Sequence, residues 1–356
     1  MKVVALTRTS AIGPSSRYRI EQYRPALAAE GIELVTLPLF GKTWFSILSI
    51  RSGLLRGPCK ALYALLRLFV RIAQCWRAAI GDADLVLIEQ QVFPYLPWPL
   101  ESLLWPTSKR VILEFDDAIF LTPGHAKKMG QLCARANLVI VGNDFLRAWA
   151  EPRASRVVVI PTTVDTSLPA EPPRVPDDTL RVGWIGLPYN LYYLRALAGP
   201  LRRLAASGID CELRVISSRL PKPHPRWEGV RLVGRPWSIE TEREEIAACD
   251  VGVMPLRDDD WARGKCALKL LQFMAAGRPV VASPVGVNAE LIRTGENGWL
   301  ATDEDAWEAA LATAHSDRDR TARIAAAGRR TVEERYSLAR CASLLAETYR
   351  QAATND

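Results

Sequence analysis

Short runs of consecutive apolar residues, too brief for helices and not alternating with polar residues, recur along this chain and constrain its fold more than any other feature. They fall at residues 2–7, 33–38, 84–89, 110–115, 138–141 and 157–160, and again at 180–185, 212–216, 230–233, 251–254 and 279–282. An unalternating run marks a strand buried on both faces, and segments of helical length separate the runs, as parallel strands require. A Pro-rich, mostly polar stretch at 161–178 interrupts the rhythm, and 356 residues are too many for one hydrophobic core. The expected fold class is α/β, with two doubly wound Rossmann-like domains facing a central cleft and a C-terminal helical tail. Residues 1–165 form the first domain, 166–179 the linker and 180–335 the second domain. The helix at 336–356 packs back toward the first. A ligand is expected at the carboxyl ends of the strands.

Composition removes several function classes. Seven cysteines are scattered without a Cys-x-x-Cys, and there are three histidines, so neither a disulfide framework nor a His-rich metal centre is expected. Met1 is followed by a strand-like run that soon meets Arg8, and no uncharged stretch reaches the roughly 18–20 residues of a membrane span. A cytoplasmic protein is expected, placed peripherally on the inner face of the membrane.

The net charge of +7 has a local origin. Between Glu33 and Asp82 there is no acidic residue, yet Lys42, Arg51, Arg56, Lys60, Arg67, Arg71 and Arg77 lie there. The spacing predicts a helix over 59–79 with Lys60, Arg67 and Arg71 on one face and bulky apolar side chains over most of the rest. Two readings stay open. Residues 42–78 lie on an anionic membrane surface, or the helix packs its apolar side on a sheet and leaves its arginines in water. Nucleic acid is not expected, because the aromatic residues sit among aliphatics and do not interleave with the basic ones.

Three loops have the makings of a ligand site. The first, 9–19, carries Gly13, Arg17 and Arg19 ahead of a helix start that would favour an anion. It lacks the G-x-G-x-x-G of dinucleotide sites. The second, 183–190, offers Gly186 for close backbone approach and Asn190 as a helix cap. The third runs from Met254 through Asp258, Asp259 and Asp260 to Gly264 and Lys265, which open a helix expected to seat a diphosphate. Lys269 and Gln272 would share a face with Lys265. The three aspartates read equally as a solvated turn. Gly277 ends that helix with a left-handed cap.

The segment LLQFMAAGRPVVASPVGVNAELIRTGENGWL, together with SSRYR, LEFDDAIF, LVIVGNDFL, VVVIPTTVDT, VGWIGLPYN and ACDVGVMPLRDDDW, resembles the retaining family 4 (group 1) glycosyltransferases of GT-B fold. The resemblance covers nearly the whole chain. It implies transfer of a sugar from a nucleotide diphosphate sugar to an acceptor with anomeric configuration retained, no cofactor and no bound metal. The second domain would hold the nucleotide and the first the acceptor. The family's Glu-x7-Glu pair falls on Gly264 and Gln272, and its first-domain histidine on Asp116. The implied roles are Lys265 and the helix start near Cys266 for the phosphates, helped by Lys269 and by Arg17 or Arg19. Gln272 would serve the ribose, and the loop bearing Trp237 the base. Asp258, Asp260 or Lys265 would stand in for the missing glutamate, with Gly13, Gly186 and Asn190 in the supporting loops. Asp116 and Asp117 serve the acceptor side. The acceptor would be a sugar or lipid-linked glycan in bacterial polysaccharide or glycolipid assembly. Two alternatives remain. One is a catalytically silent GT-B chain that binds nucleotide and a membrane partner, which the lost glutamates and histidine favour. The other is a nucleotide-sugar epimerase or phosphorylase of the same fold.

Overall fold

The apolar run of β3 (Leu85–Glu89) is wholly buried because it lies inside a six-stranded parallel sheet covered by helices. That sheet runs β2-β1-β3-β4-β5-β6, with β1 at Lys2–Leu6, β2 at Glu33–Thr36, β4 at Arg110–Phe115, β5 at Leu138–Val141 and β6 at Val157–Val159. A second parallel sheet runs β12-β11-β10-β7-β8-β9. Its strands are β7 (Thr179–Ile185), β8 (Asp210–Ile216), β9 (Val230–Arg235), β10 (Val251–Met254), β11 (Val280–Ala282) and β12 (Trp299–Leu300). β12, two residues long, is too short to leave a pattern in the sequence. The computed structural model describes residues 1–50, 52–172, 177–218, 222 and 224–354. Arg51 and residues 173–176 of the Pro-rich stretch lie outside the described residues.

The chain divides into two compact units, Met1–Thr162 with Leu338–Asp356, and Thr163–Ser337. Five helices matter below: α1 (Pro14–Arg19), α2 (Gly53–Ile80), α3 (His125–Arg135), α4 (Leu268–Ala275) and α5 (Leu338–Thr354). Cys341, Leu345 and Tyr349 of α5 are buried in the core of the first unit with Val3, Leu87 and Ile112.

Helix α2 contradicts the expectation that its apolar side packs on a sheet and leaves its arginines in water. Arg71 is fully buried, and its guanidinium donates to the carbonyls of Thr7 (2.5 Å) and Leu37 (3.2 Å). Arg67 donates to the carbonyls of Leu39 and, at 2.7 Å, Pro38. Burial pulls the Arg71 guanidinium down to about 10. The basic face points inward because the chain leaving β1 and β2 presents carbonyl oxygens there, and buried carbonyls take donors wherever a side chain supplies them. Lys60, on the same face, sits over the rings of Trp44 and Tyr95 at 5.6 and 5.5 Å. The apolar face is therefore the one in water: Leu55, Leu62, Leu66, Phe69, Trp76 and Ile80 are each more than half exposed.

In the second unit, Gly183 and Gly252 lie side by side on β7 and β10. A Cβ on Gly252 would stand 2.2 Å from the Phe273 ring, and one on Gly183 would meet Cys249 and Phe273. These glycines flatten the sheet where Phe273 rests, which places α4. Gly277 then ends the helix at a φ of 73°, with the Gly277 and Arg278 amides donating to the carbonyls of Met274 and Phe273. Gly252→Ala is expected to cost about 1–3 kcal/mol through overpacking. A variant that melts like the parent would show that Phe273 does not set the helix position.

Candidate active site

The loop leaving β10 is built differently from the sequence expectation. Asp259 caps a one-turn helix, Asp260–Arg263, by accepting from the Ala262 amide at 2.8 Å. Arg263 draws in the other two aspartates, Asp258 at 2.8 Å and Asp260 at 3.2 Å. The three acids therefore form a capped, ion-paired turn. Lys265 and Cys266 lie in the irregular segment that follows, and α4 begins at Leu268, not at Gly264. Ala267, directly ahead of α4, is buried with a left-handed backbone (φ 54°, ψ 19°), a conformation that costs a non-glycine residue about 1–2 kcal/mol.

Two lysines in this region sit against aromatic faces. Lys265 Nζ lies 5.6 Å from the Trp261 ring and Lys269 Nζ 5.6 Å from the Trp184 ring. Gly186 makes the second contact achievable, since a Cβ there would stand within 2.9 Å of both the Trp184 ring and Lys269 Cε. The end of β7, the start of α4 and both lysines thus belong to one strand-end region, where the positive end of the helix dipole adds to the lysine charge. Gln272, one turn into α4, is 8% exposed. Asn190 is not a helix cap: the chain after β7 forms a 3-10 helix, Pro188–Leu197, and Asn190 is buried within it. Trp237, beyond β9, donates its indole N–H to Glu242 at 2.5 Å. Sequence reasoning missed Tyr193 and Ser217, two buried hydroxyls that have no hydrogen-bond partner among the described residues. Nothing in their local sequence distinguishes them from core residues.

In the first unit, Gly13 precedes α1, and Arg17 stacks on the Tyr18 ring at 4.5 Å. Arg19, expected beside donor phosphates, is instead 5% exposed. It donates to Glu114 at 2.6 Å and to the Ile160 carbonyl at 2.7 Å. Asp116 and Asp117 follow β4 and are half-buried. Beside them the structure reveals two carboxyls that the sequence reading passed over. Glu89 and Glu114 pair across β3 and β4; Glu89 closes an otherwise apolar run and Glu114 stands one residue before the end of another, a signal that was visible. Glu89 accepts from Ser16 Oγ at 2.7 Å and from the Arg8 amide at 2.8 Å. Burial pushes its carboxyl up to about 7, and the charge of Asp116 adds to the rise. Burial also raises Glu114, against the pull of Arg19.

A carboxyl raised in the folded state binds its proton more tightly there than in the unfolded chain, so its contribution is fully present at low pH and lost as pH climbs through 7. Relative to wild type, Glu89→Gln is therefore expected to gain on the order of 2–3 kcal/mol between about pH 5 and pH 8. Denaturant titrations at several pH values check this; a constant difference would show that Glu89 ionises as easily folded as unfolded.

Residues 182–317 match the family model described as glycosyl transferases group 1. The matched segment contains β10, the aspartate turn, Lys265 and α4. No curated protein matches the sequence. Among solved structures, HepE from Anabaena in complex with UDP-glucose superposes with a TM-score of 0.70 at 17% identity, covering 99% of this chain and 100% of that one. Sucrose-phosphate synthase from Thermosynechococcus elongatus gives 0.69 at 17%, covering 100% of both. A glycosyltransferase from Rickettsia africae gives 0.67 at 15%, covering 100% and 99%. At these identities the likeness establishes the fold, the two-domain α/β architecture of the GT-B class.

Proposed function

We propose that this protein transfers a sugar from a nucleotide diphosphate sugar to a hydroxyl of a glycan or lipid-linked acceptor, with retention at the anomeric carbon and without cofactor or metal. The observation that carries this reading is the coincidence of the group 1 glycosyl transferase match with the lysine-bearing strand ends of the second unit. In the reaction the bond from the anomeric carbon to the diphosphate oxygen breaks, a bond to the acceptor oxygen forms, and the acceptor proton passes to the departing diphosphate. The diphosphate gains negative charge as it departs, so Lys265, Lys269 and the α4 N-terminus would act where charge develops. Gln272 would bind ribose through its amide and Trp237 would border the base. Asp116 and Asp117 would accept a hydrogen bond from the acceptor hydroxyl and orient it.

One observation favours a second reading. Gly264 occupies the position where the family carries a glutamate, and the nearby Asp258 and Asp260 are bound to Arg263. A silent chain would then bind nucleotide without turning it over. Nucleotide release from a panel of UDP-, GDP- and ADP-sugars, with and without bacterial lipid extract, separates the two. Release from one donor, increased by an acceptor in the extract, is the expected result. Silence across the panel, with nucleotide binding shown by thermal shift, favours the silent chain or an acceptor absent from the extract. Among the described residues no group of three or more His, Cys, Asp or Glu side chains is placed to hold a metal ion. Release is expected to survive chelator treatment, and metal-reversible loss would overturn the metal-free assignment.

A further inference from the structure

The outer side of α2 is an extended apolar surface of the first unit. Leu55, Leu62, Leu66, Phe69, Trp76 and Ile80 recur at three-, four- and seven-residue steps, so they form one stripe, about 38 Å long at 1.5 Å per residue. Their exposures run from 55% to 77%. Leu100 and Leu103, 52% and 78% exposed, extend the apolar surface from the neighbouring segment. Contiguous apolar surface on this scale is rare on a protein that works fully in water. The helix cannot roll over to hide it, because its opposite face is held by Arg67 and Arg71 on the carbonyls that end β1 and β2.

Charge identifies the occupant. Helix α2 carries no acidic residue, and Arg77 is the one charged residue on it that is exposed, the others being half-buried or buried. Arg77 sits at the edge of a shallow apolar hollow lined by Phe69, Ile72, Trp76 and Ile80. Asp82, just past the helix, is paired with Lys2 at 3.0 Å. A specific protein interface places a ring of satisfied polar groups around its apolar centre, whereas on α2 itself the exposed charge is Arg77. A lipid interface asks only for apolar depth with positive charge at its margin. No helix among the described residues is long and apolar enough to cross a membrane, so the stripe would lie in the plane of the surface.

We propose that α2 seats this protein on an anionic bilayer through its outer apolar stripe, with Arg77 engaging lipid phosphate. The contact is the reverse of a basic face lying on headgroups, since the arginines of that face are spent inside the protein. The proposal does not rest on the transferase reading, and its test uses no sugar donor. The full chain is sedimented with vesicles of phosphatidylcholine alone or mixed with phosphatidylglycerol. Wild type is expected to bind the mixed vesicles, and Leu62→Ser/Phe69→Ser/Trp76→Ser to bind at least about tenfold more weakly. The triple variant should melt like the parent, because all three side chains are exposed. Arg77→Gln is expected to lose about fivefold on the mixed vesicles and nothing on phosphatidylcholine. Undiminished binding by the triple variant, or no binding by wild type, overturns the proposal. Concentration-dependent self-association that the triple variant abolishes, without vesicle binding, would assign the stripe to a second copy of the chain instead.

Discussion

Lys265→Ala is expected to lower donor turnover by about 10²–10³-fold, the loss typical of removing one group that stabilises developing charge. The side chain is half-buried beside Trp261, in the segment between the aspartate turn and α4. On the proposed reading, an ammonium held there would act on the departing diphosphate more than on the intact donor, because charge builds only as the bond breaks. The effect should therefore fall mainly on kcat, with a smaller loss of nucleotide diphosphate affinity by calorimetry. Lys265→Arg should restore part of the rate, since it keeps the charge but not the shape of the contact. Unchanged rate and affinity in the alanine variant would remove Lys265 from the site and leave Lys269 as the remaining basic candidate on α4.

The second large effect is structural. Lys128→Met is expected to destabilise the first unit by about 3–5 kcal/mol, the cost of leaving one member of a buried ion pair alone. Lys128, on α3, is buried and paired with Glu101, whose side chain has no exposure. Lys128 Nζ also donates to Gln91 Oε1 at 3.0 Å and to the carbonyls of Phe93 and Leu96 at 2.9 and 2.8 Å. Glu101 accepts from the Val92 amide at 2.8 Å, so this one pair ties down the chain that leaves β3. Burial already raises the Glu101 carboxyl, with Lys128 opposing the rise. Without the lysine, the acid would rise further and take up a proton, so the deficit should shrink as pH falls. Lys128→Met/Glu101→Gln should recover much of the loss while keeping an acceptor for Val92. Denaturant unfolding of the singles and the double measures the coupling. Additive losses would show that the pair is not the tie.

Much of the architecture was legible because a parallel strand buried on both faces leaves a mark that few other structures leave. The run 84–89 announced an interior strand, and β12 escaped only because two residues carry no period. The loop leaving β10 was legible in part. The sequence placed a helix after the three aspartates, but not its start at Leu268. That start depends on Arg263 closing the aspartate turn, on Ala267 taking a left-handed turn, and on Phe273 resting over Gly183 and Gly252. Each of these is a contact between residues or a backbone choice that spacing alone does not encode.

The faces of α2 mark the boundary most clearly. By itself the sequence determined that Lys60, Arg67 and Arg71 share one side of a helix and that leucines and aromatics fill the other, because a 3.6-residue period is a local property. Which side goes in was decided by the tertiary structure. The helix lies over carbonyl oxygens at the ends of two parallel strands, and those carbonyls take hydrogen-bond donors that only the arginine side supplies. The apolar side is left outward for the same reason.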